Sequence, residues 1–193
     1  MISRALAHGV LAAALLALAA VPGCKGANPT NPSQGGTPMS LTVRSTAFQE
    51  GQPIPMKYTG EGKDVSPALE WDAPPAGTKS LALICEDPDA PKGTWTHWVL
   101  YNLPADRREV SEDVARERKL PDGSEQGTND FDKVGYNGPK PPPGKVHHYQ
   151  FKLYALDTRL DLQPGATRKR LLDAVQGHIL GEGQLTGTYE RKK

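Results

Sequence analysis

Two stretches of this chain crowd groups that can bind or move protons: D-P-D-A-P-K-G-T-W-T-H-W-V at 87–99 and G-Y-N-G-P-K-P-P-P-G-K-V-H-H-Y at 135–149. Asp87, Asp89, His97, His147 and His148 stand beside Trp95, Trp98, Tyr149 and Phe151, and prolines and glycines stiffen both stretches. A buried imidazole or carboxylate without partners costs on the order of several kcal/mol. A chain that carries such groups twice, beside rigid loops, is therefore expected to bring them together. The product is a small pocket that donates and accepts hydrogen bonds and holds an anion. Two imidazoles donate to a phosphate or carboxylate, more strongly when protonated. Asp87 would repel an anion if aimed at it, so its expected place is behind or beside the ligand, orienting one imidazole, or accepting from an ammonium group of the ligand.

Three apolar runs are expected to carry these groups. Ser80–Glu86 and Trp95–Leu103 are apolar on both alternating faces, which predicts central strands covered on both sides. Val146–Leu156 sorts more cleanly. His147, Tyr149, Phe151 and Leu153 share the more apolar face, and His148, Gln150 and Lys152 the more polar one. The same alternation puts His97 on one face with Trp95, Val99 and Tyr101. Further short strands are expected at Leu41–Val43, Met56–Thr59 and Gln184–Tyr189, and an irregular extended stretch at Val65–Trp71. Residues 105–133 read as a charged loop. One helix is expected, with Thr167 as N-cap, Leu171, Leu172 and Val175 as its apolar stripe, and Gly181 and Gly183 as its end. Many strands, frequent turns and one short helix indicate a mainly β fold, a two-layer antiparallel sandwich.

The 193 residues suffice for one domain, and 18 prolines with 20 glycines predict frequent turns and argue against long helices. A net charge of +1 with interspersed signs argues against nucleic acid as a partner. The basic clusters Arg168-Lys169-Arg170 and Arg191-Lys192-Lys193 read as solvated surface. Cys85, in an apolar run, reads as a small buried hydrophobe. Cys24 is different. A weakly basic start, an apolar stretch from Val10 to Ala20 and the small residues Val21-Pro22-Gly23 precede it, as in a secretory signal. A cysteine at that point resembles a bacterial lipobox; the alternative is ordinary secretion with Cys24 a free thiol. The expected organisation is a signal peptide over 1–23, a lipidated Cys24 with a Pro/Gly/Asn tether over 24–39, and a folded domain over 40–193. That places the protein in a bacterial cell envelope, lipid-anchored on the periplasmic side or the cell surface.

D-P-D-A-P at 87–91, H-W-V at 97–99 and G-P-K-P-P-P-G-K-V-H-H-Y at 138–149 resemble the phosphatidylethanolamine-binding protein family, more closely its bacterial Raf kinase inhibitor-like branch. The similarity runs over residues 41–190, including S-P-A-L-E-W at 66–71, Q-G-T-N-D-F at 126–131 and G-T-Y-E-R at 187–191. The resemblance implies a two-sheet β-sandwich with an anion pocket lined by Asp87, His97 and His147. It also implies a wall from Gly138-Pro139, Tyr149 on the face of His147, and a rim shaped by Asp89 and Pro91 with a cis Ala90–Pro91 bond. The family's C-terminal helix, which partly covers the pocket in eukaryotic members, has no counterpart up to Lys193, and the pocket is expected to be more open. His148 stands where arginine is frequent in the family.

The expected ligand is a small anionic or phosphorylated group of phosphoethanolamine type, and a kinase or protease is an expected protein partner by analogy. The expected role is non-enzymatic, with no cofactor. A metal site is a rival reading, but no H-x-x-x-H or paired-cysteine spacing supports it. The enzymatic alternative is a hydrolase or transferase using His97 or His147 as general base. No G-x-S-x-G motif accompanies it.

Overall fold

The computed structural model describes residues 37–192. The expected signal peptide, Cys24 and most of the tether lie outside the described residues. Among the described residues nine strands form one mixed sheet: β1 (Met39–Arg44), β2 (Leu69–Trp71), β3 (Ser80–Asp87), β4 (Trp95–Pro104), β5 (Glu109–Val110), β6 (Glu125–Thr128), β7 (Val146–Leu156), β8 (Gly165–Thr167) and β9 (Ile179–Glu190). Their spatial order is β5-β2-β1-β9-β7-β3-β4-β6-β8. The mainly β class holds, but the expected pair of antiparallel sheets does not. The reason is β1, which changes partner half-way. Met39–Thr42 run parallel to Gly181–Gln184 of β9, and Val43 and Arg44 then pair antiparallel with β2. One strand thereby stitches two ladders into a continuous sheet. Pairing between β6 and β8 is also parallel.

β3 and β4 are buried on both faces, as their unbroken apolar runs require. One face packs Leu83, Cys85, Trp98, Leu100, Phe151 and Leu153 into the larger core. The other packs Ala82, Ile84, Val99 and Tyr101 against Leu160, Leu171 and Val175. The last two belong to α1 (Arg168–Val175), the one α-helix among the described residues. Thr167 caps it by accepting from the Arg170 amide, and burying Leu171 and Val175 stabilises its docking by about 1.5–3 kcal/mol each.

Several local expectations are corrected. The helix ends at Val175, and Gly181 and Gly183 lie inside β9. Gly183 is required there because a Cβ would come within 2.2 Å of the Leu41 carbonyl oxygen on β1. Met56–Tyr58 is a 3-10 turn rather than a strand. The charged stretch 105–133 contains β5 and β6. Arg168 is not simply solvated surface, because its guanidinium pairs with Glu86, a carboxylate buried on β3 that also accepts from Lys152 at 2.6 Å. The Ala90–Pro91 bond is trans. No helix among the described residues is long and apolar enough to cross a membrane.

Candidate functional site

The site lies where β3, β4 and β7 end together, and its least regular strand supplies a key side chain. Cys85 on β3 pairs with Trp98, and Glu86 pairs with Thr96, leaving His97 without a partner on β3. His97 is the extra residue of a β-bulge, a device that breaks alternation and re-aims a side chain. The expected face-sharing therefore fails in part. Val99 and Tyr101 turn to the helix side, whereas His97 turns with Trp95 to the side of Tyr149, ring centroids 5.1 Å apart. No bulge interrupts β7 near the site, so simple alternation holds there. His147 and Tyr149 point inward and His148 points to solvent.

Asp87, His97, His147 and Tyr149 form the floor of a cavity of about 320 Å³. Both imidazoles are held through Nδ1. His147 Nδ1 donates to Asp87 Oδ2 at 2.8 Å, and His97 Nδ1 donates to the Asn137 carbonyl at 2.5 Å. Neither acceptor can donate, so each Nδ1 carries the proton and each Nε2 is left as the ring's other hydrogen-bonding atom. Asp87 lines the floor beside His147 with a donor on each oxygen, the second accepting the Asp89 amide at 2.8 Å. The Tyr149 hydroxyl is buried near the Asp87 carboxylate, and no acceptor meets it in good hydrogen-bond geometry. Burial, reinforced by the negative charge of Asp87, pushes its pKa far above the usual tyrosine value, so it stays a neutral donor. Burial also pulls His97 below the ordinary imidazole value, against the Asn137 carbonyl and the Asp87 charge that favour its protonation.

The remaining expected residues fall around this floor. Pro91 lines the cavity. Asp89 does not; it faces solvent and accepts both the His148 amide, at 2.8 Å, and His148 Nδ1, at 2.7 Å. Gly138 and Pro139 are buried outside the lining, and the wall is built by the next residues, Lys140, Pro141 and Pro142. The offset has a cause. Asp64 Oδ1 accepts the Gly138 amide at 2.6 Å and the Pro139 carbonyl accepts the Gly60 amide at 2.9 Å, sewing 138–139 onto the 58–64 segment. A Cβ at Gly138 would stand 2.1 Å from the Tyr58 carbonyl oxygen, so only glycine permits that approach.

Sequence reasoning passed over Asp64, which also accepts from Asn137 Nδ2 at 3.0 Å and Arg116 at 2.8 Å. It thereby fixes the segment whose carbonyl holds His97. No local signal marks an isolated aspartate as such a clamp. Lys92, Trp95 and Phe131 also line the cavity. Lys92 and Trp95 lie in the 87–99 stretch and Phe131 closes Q-G-T-N-D-F at 126–131, and the aromatic residues beside D-P-D and N-D are the available clue. Among the described residues no cluster of three or more His, Cys, Asp or Glu side chains is arranged to hold a metal. Cys85 is buried, and burial raises its pKa well above the ordinary thiol value.

Comparison with known proteins covers the same part of the chain. A family model described as phosphatidylethanolamine-binding protein matches residues 44–190. A UPF0098 protein of Methanothermobacter thermautotrophicus is 52% identical over 151 residues, 78% of this chain and 99% of that protein. A UPF0098 protein of Aquifex aeolicus is 47% identical over 163 residues, 82% of this chain and 92% of the relative. Among solved structures, Escherichia coli YbcL, described as a new member of the mammalian PEBP family, superposes with a TM-score of 0.73 at 36% identity, covering 79% of this chain and 99% of that one. A Chlamydia trachomatis protein described as a putative phosphatidylethanolamine-binding protein homolog gives 0.72 at 39% identity, with the same coverages.

Proposed function

This chain belongs to the phosphatidylethanolamine-binding protein family, and from that premise we propose that it is a non-enzymatic binding protein whose cavity holds a small anionic or phosphorylated group. One observation carries the reading. Two imidazoles fixed through Nδ1 and one unpartnered tyrosine hydroxyl converge on a single cavity floor. The hydroxyl needs an acceptor, and a phosphate or carboxylate oxygen supplies one. The same oxygens favour protonated imidazoles, whose Nε2–H groups then donate as well. Asp87, itself part of the floor, orients His147 through Nδ1 and has each oxygen engaged by a donor.

Anchoring through Cys24 and a place in the cell envelope belong to this proposal, as does regulation of a kinase or protease. Cys24→Ser should release the protein from the membrane fraction or leave its precursor uncleaved; a soluble wild type with a free Cys24 thiol would end that part. The binding reading is tested by titrating inorganic phosphate and phosphoethanolamine while following the histidine ring protons by NMR. Two histidines should shift with ligand. Silence at millimolar ligand would overturn it, and so would turnover in a screen of phosphoesters and esters, which would favour an enzyme with His97 or His147 as general base.

A further inference from the structure

The cavity is larger than the group proposed for its floor. Its volume of about 320 Å³ equals the space of roughly ten waters at about 30 Å³ each. One phosphate or carboxylate takes up a minor part of it. The rest of the lining sorts by chemistry. Trp95 and Phe131 meet edge to face with centroids 5.5 Å apart, and Phe131 stands 5.2 Å from His97, so an aromatic wall reaches down to the floor. Pro141 and Pro142 supply a second apolar surface. Two exposed cations stand in the loops of the lining, Lys92 in the 88–94 loop and Lys140 in the 138–144 loop. Among the described residues the lysines that make ion pairs are Lys57, Lys152 and Lys169, leaving both of these ammonium groups uncompensated. The one carboxylate in the lining, Asp87, has both oxygens occupied.

We propose that the ligand is two-headed. One anionic group meets the floor, a flat apolar body fills the space between the aromatic wall and the prolines, and a second anionic group meets Lys92 and Lys140. The two lysines are then specificity-determining residues, and they disfavour a ligand whose far end is a cation. This rests on the reading that the floor binds an anion.

Inorganic phosphate, phenyl phosphate and 4-carboxyphenyl phosphate, titrated by calorimetry into the full chain at low salt, test each part. Phenyl phosphate should bind about tenfold more tightly than phosphate through ring burial. The added carboxylate should contribute about fivefold more, and this last step should weaken as salt is raised. In a Lys92→Ala/Lys140→Ala double variant the ring step should persist and the carboxylate step vanish. A carboxylate step that is absent in the wild type, or that survives in the double variant, overturns the proposal. If no probe binds the wild type, or if His147→Ala leaves phenyl phosphate binding unchanged, the anion-floor reading itself fails and the two-headed ligand falls with it.

Discussion

His147 and His148 are neighbours, and each pairs through Nδ1 with an aspartate of the D-P-D run, at 2.8 Å to Asp87 and 2.7 Å to Asp89. By distance and partner the two are the same interaction. They differ in surroundings: the side chains of the inner pair are 5% exposed, those of the outer pair 52% and 42%. Strand alternation alone produces that contrast. In the interior, losing one partner strands a polar group with no water to replace it; at the surface, water takes over and the pair is worth little. The inner pair fixes an imidazole facing a cavity, while the outer pair ties the rim loop to β7.

The sharpest way to break the comparison is to truncate both histidines. His147→Ala leaves the buried Asp87 short of a donor and should cost about 3 kcal/mol in urea unfolding, with phosphate binding lost. Its counterpart His148→Ala keeps the backbone amide bond to Asp89 and should leave binding within about threefold. Equal losses would show that burial does not separate the pairs.

Glu86 extends the contrast to a buried carboxylate with two cations. Burial raises its pKa, but the hydrogen bonds from Arg168 and Lys152 outweigh it and the net shift is downward. A depressed folded-state pKa stabilises above the unfolded value and is lost as pH falls through the folded one. Stability should therefore decline below about pH 4.3, and Glu86→Gln should remove that component at a cost of about 1–3 kcal/mol at neutral pH. Acid-unfolding curves of the two proteins check this.

His97 gives a third test, on affinity. Burial holds its pKa low in the free protein, and a bound anion must raise it. Affinity should be highest where the free imidazole is already protonated and should fall as pH rises through the window between free and bound values, by about tenfold between roughly pH 5 and 8. An affinity flat over that range would mean that the anion does not engage a protonated His97. The smallest effect belongs to the outer pair. Hydrogen bonding to His148 lowers the Asp89 pKa, yet Asp89→Asn should change stability by less than about 1 kcal/mol at any pH, because the group is solvated.

Much of the site was legible because β7 obeys a period of two. The sorting of His147 and Tyr149 from His148 follows from alternation, and the double-sided burial of β3 and β4 follows from their unbroken apolar runs. His97 was misplaced relative to Val99 and Tyr101 because a bulge is a property of two strands, and T-H-W carries no mark of it. The parallel pairing of β1 with β9 was hidden for the same reason, since partners some 140 residues apart leave no local pattern. Gly138-Pro139 was one step off the wall because the clamp at Asp64 lies far away in the chain.

The bulge at His97 also bears on how this site can change through descent. Deleting one residue from T-H-W would let β4 realign with β3 in regular pairing, so the sheet could survive while the imidazole left the cavity. Substitutions erode such a site gradually, whereas a single-codon deletion would erase it at once. Loss of binding in a lineage that keeps the fold should therefore be sought first as a gap at this point of β4.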